Sequence, residues 1–142
     1  AQQFSFGSYV AAGCELSVTD GTKIRMHRIV AATDPGYAVN PAQIERQVSG
    51  SFVYGLSALF EQECTVKDGR IVQTNFDSFG SIRLAQMPPV ETIILQGGGL
   101  SWGGVGEPTI AVAAPAVLNA FYQATGRRLR NVPLKNLGVT LI

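Results

Sequence analysis

The 142-residue sequence predicts an α+β domain in which β-hairpins and a short sheet pack against two main helices. Three observations carry this. Cys14, Leu16 and Val18 alternate with Glu15 and Ser17, the period of a half-buried strand, and Asp20-Gly21 then closes a hairpin. Ile44, Val48, Phe52, Leu56 and Leu59 recur at three- and four-residue steps, as one face of a helix does. A second apolar segment, Ile110–Phe121, runs to Thr125 and stops at Gly126.

Taken in order, a strand pattern begins near Phe4. The hairpin's return strand runs from Lys23 to Ala31, with Ile24, Met26 and Val30 on one face, and Asp34-Pro35-Gly36 makes the next turn. Asn40-Pro41-Ala42-Gln43 is a helix start: Asn40 caps, Pro41 loses nothing in the first turn, and Gln43 reaches back. The helix should end near Phe60. Gly50 and Gly55 inside it cost about 1 kcal/mol each relative to Ala, which points to another backbone or a ligand passing close by. Cys64–Lys67 and Arg70–Gln73 flank a second hairpin turn at Asp68-Gly69. Thr74–Pro89 has no period and reads as a long ordered loop, and Val90–Leu95 as a short strand. Residues 96–106 include Gly97, Gly98, Gly99, Gly103, Gly104 and Gly106. Pro115 is expected in the first turn of the last helix, with regular helix starting there. Arg127 and Arg128 stand beside its negative end, and the tail from Leu129 adds a strand.

A net charge of +1 gives no field to attract nucleic acid or an anionic membrane. The charged fraction is 15%, against roughly 25% in ordinary domains, while apolar residues reach 46%. One reading is a stable, weakly charged domain. The sharper one is a surface meant to lie against other protein, with self-association, as a dimer, when that protein is missing. Neither a leader nor an apolar run of roughly 18 residues is found. The compartment stays open between bacterial cytoplasm and periplasm. Cys14 and Cys64 stand far apart with no CxxC, which excludes a Cys-rich zinc or iron–sulfur site in this chain. Two buried free thiols are expected, with a disulfide as the alternative. His27 is the only histidine, so no multi-histidine metal site exists here, and an ordinary structural role is expected for it. No metal ligand is assigned.

The glycine-rich segment fails the phosphate-loop pattern because no Lys-Ser/Thr follows, and it lacks the dinucleotide spacing. Glu107 gives it another meaning. It follows Gly103-Gly104-Val105-Gly106 and precedes Pro108, so side chains are cleared from around the carboxylate and a bulky cofactor could approach. An apolar neighbourhood would raise its pKa and suit it to accept a proton.

Gly104-Val105-Gly106-Glu107-Pro108 resembles the signature of the molybdenum hydroxylases, the family of xanthine dehydrogenase, aldehyde oxidase and bacterial isoquinoline 1-oxidoreductase-like enzymes. The likeness extends through Ser5-Phe6-Gly7-Ser8-Tyr9-Val10-Ala11, Asn40-Pro41, Gln47-Val48 with Gly50, Gly55-Leu56, and Ala124-Thr125-Gly126-Arg127-Arg128-Leu129-Arg130. It implies that residues 1–142 are one domain, the C-terminal portion of a larger molybdenum-cofactor-binding domain. It implies hydroxylation of an aldehyde or N-heteroaromatic substrate with oxygen from water, Glu107 being the general base. Gln47, Gly50, Gly104, Val105 and Gly106 are then cofactor contacts. The cofactor is molybdenum-molybdopterin, in its cytosine dinucleotide form, in the full enzyme. The isolated chain should lack it, since family members gather their pterin-binding loops from several other segments. Implied partners are the rest of the molybdenum subunit and an iron–sulfur electron-transfer subunit. Ser49, where many members have an acidic residue, and Pro35, where many have Cys, depart from the pattern. Two other readings stand beside this one. The first is a non-catalytic interaction or structural module that keeps the fold. The second, a phosphate-binding domain, is weakened by the lack of a basic residue in the glycine segment.

Overall fold

Two long antiparallel strands carry the rest of the molecule. The structure is a computed structural model that describes residues 1–98 and 101–142; Gly99 of the glycine-rich segment lies outside them. Strand β1 (Gln2–Ser5) turns into β2 (Ser8–Thr19), which pairs along its length with β3 (Lys23–Asp34). Helix α1 (Pro41–Phe60) follows, then a small exposed hairpin of β4 (Val66–Lys67) and β5 (Arg70–Ile71). Strand β6 (Val90–Ile94), helix α2 (Ile110–Thr125) and β7 (Thr140–Leu141) complete the fold. The sheet order is β1-β2-β3-β6, and β7 also pairs with β3. Both β6 and β7 run parallel to β3, β7 beside Lys23 and Ile24, β6 beside residues 29–33. Helix α2 lies on β2, while α1 packs against α2 and β6. Two helices on one mixed sheet give the α+β class that the sequence predicts.

A bulge changes which residues of β3 face the helices. Glu15 pairs with Arg28, but Leu16 pairs with Met26, leaving His27 as the extra residue. Ile24 and Met26 are buried before the bulge, Ile29, Ala31 and Thr33 after it. One inserted residue shifts the two-residue alternation by one. This corrects the expectation for Val30, which falls outside the core while Ile29 and Ala31 take the place predicted for it. His27 itself is exposed and bonds Ser17 Oγ at 3.0 Å.

Helix α1 begins and ends where expected. Asn40 Oδ1 accepts from Gln43 N at 3.3 Å, but the Gln43 side chain makes no return bond among the described residues. Its buried row is Ile44, Val48, Phe52, Leu56 and Leu59. Replacing Asn40 by Ala should lower stability by about 1 kcal/mol, read as an earlier urea midpoint. An unchanged midpoint would remove the cap from the account.

The two helical glycines differ. A Cβ on Gly55 would stand 2.5 Å from Ala113 Cβ, so this glycine is where α1 and α2 touch. A Cβ on Gly50 would meet nothing within 4 Å. Of the two alternatives expected, a close backbone or a ligand, the first is found at Gly55, and among the described residues no neighbour approaches Gly50.

Helix α2 begins at Ile110, not at Pro115 as expected. Near a helix start Pro removes only one carbonyl's partner. The preceding turn is held by Ile110 N to Glu107 O at 3.0 Å and Ala111 N to Pro108 O at 3.3 Å. Burial of Val112, Ala113, Ala116, Val117 and Phe121 offsets that loss. Gly126 ends the helix at φ +71. Arg128 lies 3.8 Å over the Tyr122 ring, and an Arg127 Nη donates to Gly21 O at 3.0 Å.

Cys14 and Cys64 are both free. Cys14 is half-buried; burial and then the Glu15 charge push its thiol up to about 11. Cys64 is exposed, which corrects the expectation of two buried thiols. The neighbouring β4–β5 hairpin is exposed throughout and has no core face to bury a side chain against.

Candidate functional site

The glycine-rich segment is pinned against two turns that lie far from it in sequence. Asp34 Oδ1 accepts from Gly36 N at 2.9 Å and from Gly97 N at 3.1 Å. Gly103 N donates to Pro35 O at 2.8 Å, so the Pro35 departure leaves this contact intact, since only the carbonyl is used. The β1–β2 turn supplies a second clamp: Gly104 N donates to Phe6 O at 2.8 Å, and Ser8 Oγ donates to Gly104 O at 2.6 Å. Gly7, at φ +76, and Gly103 face one another there. A Cβ on Gly103 would collide with Ser8 Oγ and the Gly7 backbone. Only glycine allows this approach.

Past the clamp, the segment meets α1. Gln47 Nε2 donates to Gly106 O at 3.0 Å, and Ser51 Oγ donates to Gln47 O at 2.9 Å and to Gly106 O at 3.4 Å. These bonds fix the backbone immediately before Glu107. A cavity of about 400 Å³ opens at the junction, lined among others by Tyr37, Gln43, Gln47, Trp102, Val105 and Gly106. The Tyr37 and Trp102 rings stack on its rim, 5.2 Å between centroids.

Of the residues predicted from sequence, Gln47, Val105 and Gly106 meet at this cavity, and Glu107 is the next residue along the chain. Gly104 is held one step back, in the clamp. Gly50 is exposed and does not line the cavity. The apolar neighbourhood expected around Glu107 is not supplied by this chain: the residue is exposed. Sequence reasoning did not single out Ser8, Asp34, Tyr37 or Trp102. Ser8 and Asp34 stood in segments already noted as a resemblance and a turn, but their partners are remote in sequence and no local signal announces them.

The lining suits one edge and one face of a flat, hydrogen-bonding ring. Amides at Asn40, Gln43 and Gln47 offer donors and acceptors, the two aromatic rings offer a wall, and Gly106 leaves its backbone bare, with no heavy atom near a notional Cβ. The lining holds no cationic side chain for a phosphate. Among the described residues no group of three His, Cys, Asp or Glu could hold a metal, and no helix is long and apolar enough to cross a membrane.

A family model described as "Molybdopterin cofactor-binding domain" matches residues 1–88, which include Gln47 and the β1–β2 turn but end before the glycine segment. The chain is 27% identical over 112 residues to isoquinoline 1-oxidoreductase subunit beta of Brevundimonas diminuta, covering 79% of this chain and 14% of that one. It is 29% identical over 141 residues to the aldehyde oxidoreductase molybdenum-binding subunit PaoC of Escherichia coli K12, covering 94% and 19%. The fold is shared with aldehyde oxidoreductase from Desulfovibrio gigas, with a TM-score of 0.74 at 19% identity over 89% of this chain and 14% of that one. The chain thus spans less than a fifth of the length of each of these relatives.

Proposed function

The chain belongs to the molybdopterin cofactor-binding domain family of the molybdenum hydroxylases, and we propose that it forms the C-terminal portion of a larger molybdenum-binding domain, with Glu107 as the general base. The observation that best supports this is the Gln47–Gly106 bond, which ties the residue before Glu107 to the cavity rim. The reaction proposed is hydroxylation of an aldehyde or N-heteroaromatic substrate: a C–H bond and a water become a C–OH, two protons and two electrons. When bound, the molybdenum-molybdopterin group, here proposed in its cytosine dinucleotide form, supplies the acceptor for those electrons and activates the oxygen.

This chain's own residues have narrower tasks. The Glu107 carboxylate accepts a proton released from the water-derived oxygen. Gly104, Val105 and Gly106 keep the approach to that carboxylate free of large side chains. The Gln47 amide spends one N–H on Gly106, leaving its carbonyl oxygen free to accept a bond from the cofactor. Gly50, exposed on α1, leaves room for a neighbour that this chain does not contain. The segments that would surround Glu107 with apolar groups, and hold the cofactor's phosphates, belong to the rest of the subunit. The electrons would pass to an iron–sulfur partner subunit. Two sequence relatives, one a subunit beta and the other a molybdenum-binding subunit, fit a multi-subunit enzyme.

Gln47→Ala in the complete subunit tests the site. It removes both the clamp on Gly106 and the free amide oxygen. Molybdenum retention on dilution should weaken by about 10–100-fold, the usual cost of losing a supporting partner. The measurement is metal and pterin content of the purified protein. Occupancy equal to the unmodified enzyme would sink the assignment of Gln47.

A further inference from the structure

Strand β6 is hydrogen-bonded on one side only. It pairs with β3 from Val90 to Ile94, and no strand among the described residues lies on its other side. In a parallel pair, alternate residues turn both backbone groups to the same neighbour. Leu95 N donates to Thr33 O, and Pro89 O accepts from Ile29 N. Glu91 and Ile93 therefore face β3, while Val90, Thr92 and Ile94 present their N–H and C=O groups outward.

Edges that meet water are ordinarily guarded by Lys, Pro or a bulge. This one has an unbroken register and a single charge, Glu91. Ile93 and Leu95 are exposed at 42% and 49%. Beside the edge lies a cavity of about 540 Å³, lined by Glu45, Arg46 and Ser49 of α1 and by Val90 and Thr92. Thr92 Oγ1 is shut off from water and has no hydrogen-bond partner. A buried hydroxyl left unbonded is costly and calls for an explanation.

We propose that the free edge of β6 receives an added β-strand, supplied by the part of the molybdenum-binding subunit outside this chain. The proposal rests on the reading of the chain as a portion of a longer subunit, and the relatives, of which it spans 14% and 19%, show how much chain is available. A strand bonded to Val90, Thr92 and Ile94 extends the sheet and covers the flank of Ile93 and Leu95. Its backbone lies along the cavity beneath α1 that Val90 and Thr92 help to line. A segment tethered in the same polypeptide meets the edge at an effective concentration that a separate molecule rarely reaches.

Residue-resolved hydrogen exchange on the complete subunit decides it. The inward amide of Ile93 is the internal standard. The outward amides of Thr92 and Ile94 should exchange within about tenfold of it, far slower than open amides, because local opening governs both. Exchange at the open rate would overturn the proposal. Protection that rises with protein concentration would also overturn it, by assigning the edge to a second copy. Thr92→Pro supplies a second arm. Proline is tolerated where its missing N–H faces solvent, so on a free edge it should be nearly silent; on a paired one it breaks the added strand. The expected result is loss of protection at Ile94 with the Ile93 amide still protected. Unchanged exchange and unchanged melting in this variant would count against pairing. Neither readout depends on molybdenum or turnover, so the pairing and the catalytic reading fail separately.

Discussion

Glu107→Gln in the complete enzyme should reduce turnover by about 10²–10⁴-fold, the usual weight of a general base. The substitution keeps the shape of the side chain and removes only its capacity to take a proton. The local fold gives no reason for wider damage. Glu107 is exposed in this chain, its carboxylate enters no hydrogen bond among the described residues, and its backbone carbonyl, which holds Ile110, is untouched. Molybdenum content and thermal unfolding should therefore match the unmodified enzyme. Turnover within about threefold of it, where a base should cost at least a hundredfold, would remove Glu107 from the chemistry. A parallel loss of molybdenum would instead make it a cofactor-holding residue.

Gly55→Val should destabilise the domain by about 3 kcal/mol, at the upper end of what overpacking costs. The added Cβ alone would stand 2.5 Å from Ala113 Cβ and 3.3 Å from the Ile110 carbonyl. Neither is the tip of a flexible side chain, so the two helices would have to part. Gly50→Ala in the same helix is the contrast. It adds a Cβ in open space and should stabilise the helix by about 1 kcal/mol, while lowering molybdenum content if a cofactor passes there. Paired urea titrations of the two variants check both signs. Equal shifts in the same direction would show that the helix contact is misplaced.

How far the fold could be read from the sequence follows the range of the interactions. Helix α1 was legible in its start, its extent and its buried face, because Asn40, Pro41 and its apolar row are signals within one element. The hairpin at Asp20-Gly21 was equally plain. Val30 was assigned to the wrong face because a bulge obeys no local pattern: His27 shifts the alternation only through its pairing with β2. Pro115 misled for a similar reason, since packing against α1 and β2 outweighs one lost helical bond. At the site, the motif around Glu107 and the residue Gln47 were visible as types in order. Their junction was not. Ser8 and Asp34, which hold the segment in place, carry no sign of it in their neighbourhoods.

The anchors of the glycine segment are far apart along the chain: 96 residues separate Ser8 from Gly104, 63 separate Asp34 from Gly97, and 59 separate Gln47 from Gly106. Ribosomal synthesis delivers β1, β2, β3 and α1 before this segment, so the residues that receive it, Ser8, Asp34 and Gln47, all precede it along the chain. Each closure carries an entropy cost that grows only slowly with loop length, about 0.6 kcal/mol per doubling. Waiting for a distant anchor is therefore thermodynamically mild but kinetically late. The rim of the cavity beside Glu107 is built from backbone that arrives after α1, and a truncated product that ends before Gly97 has no rim to close.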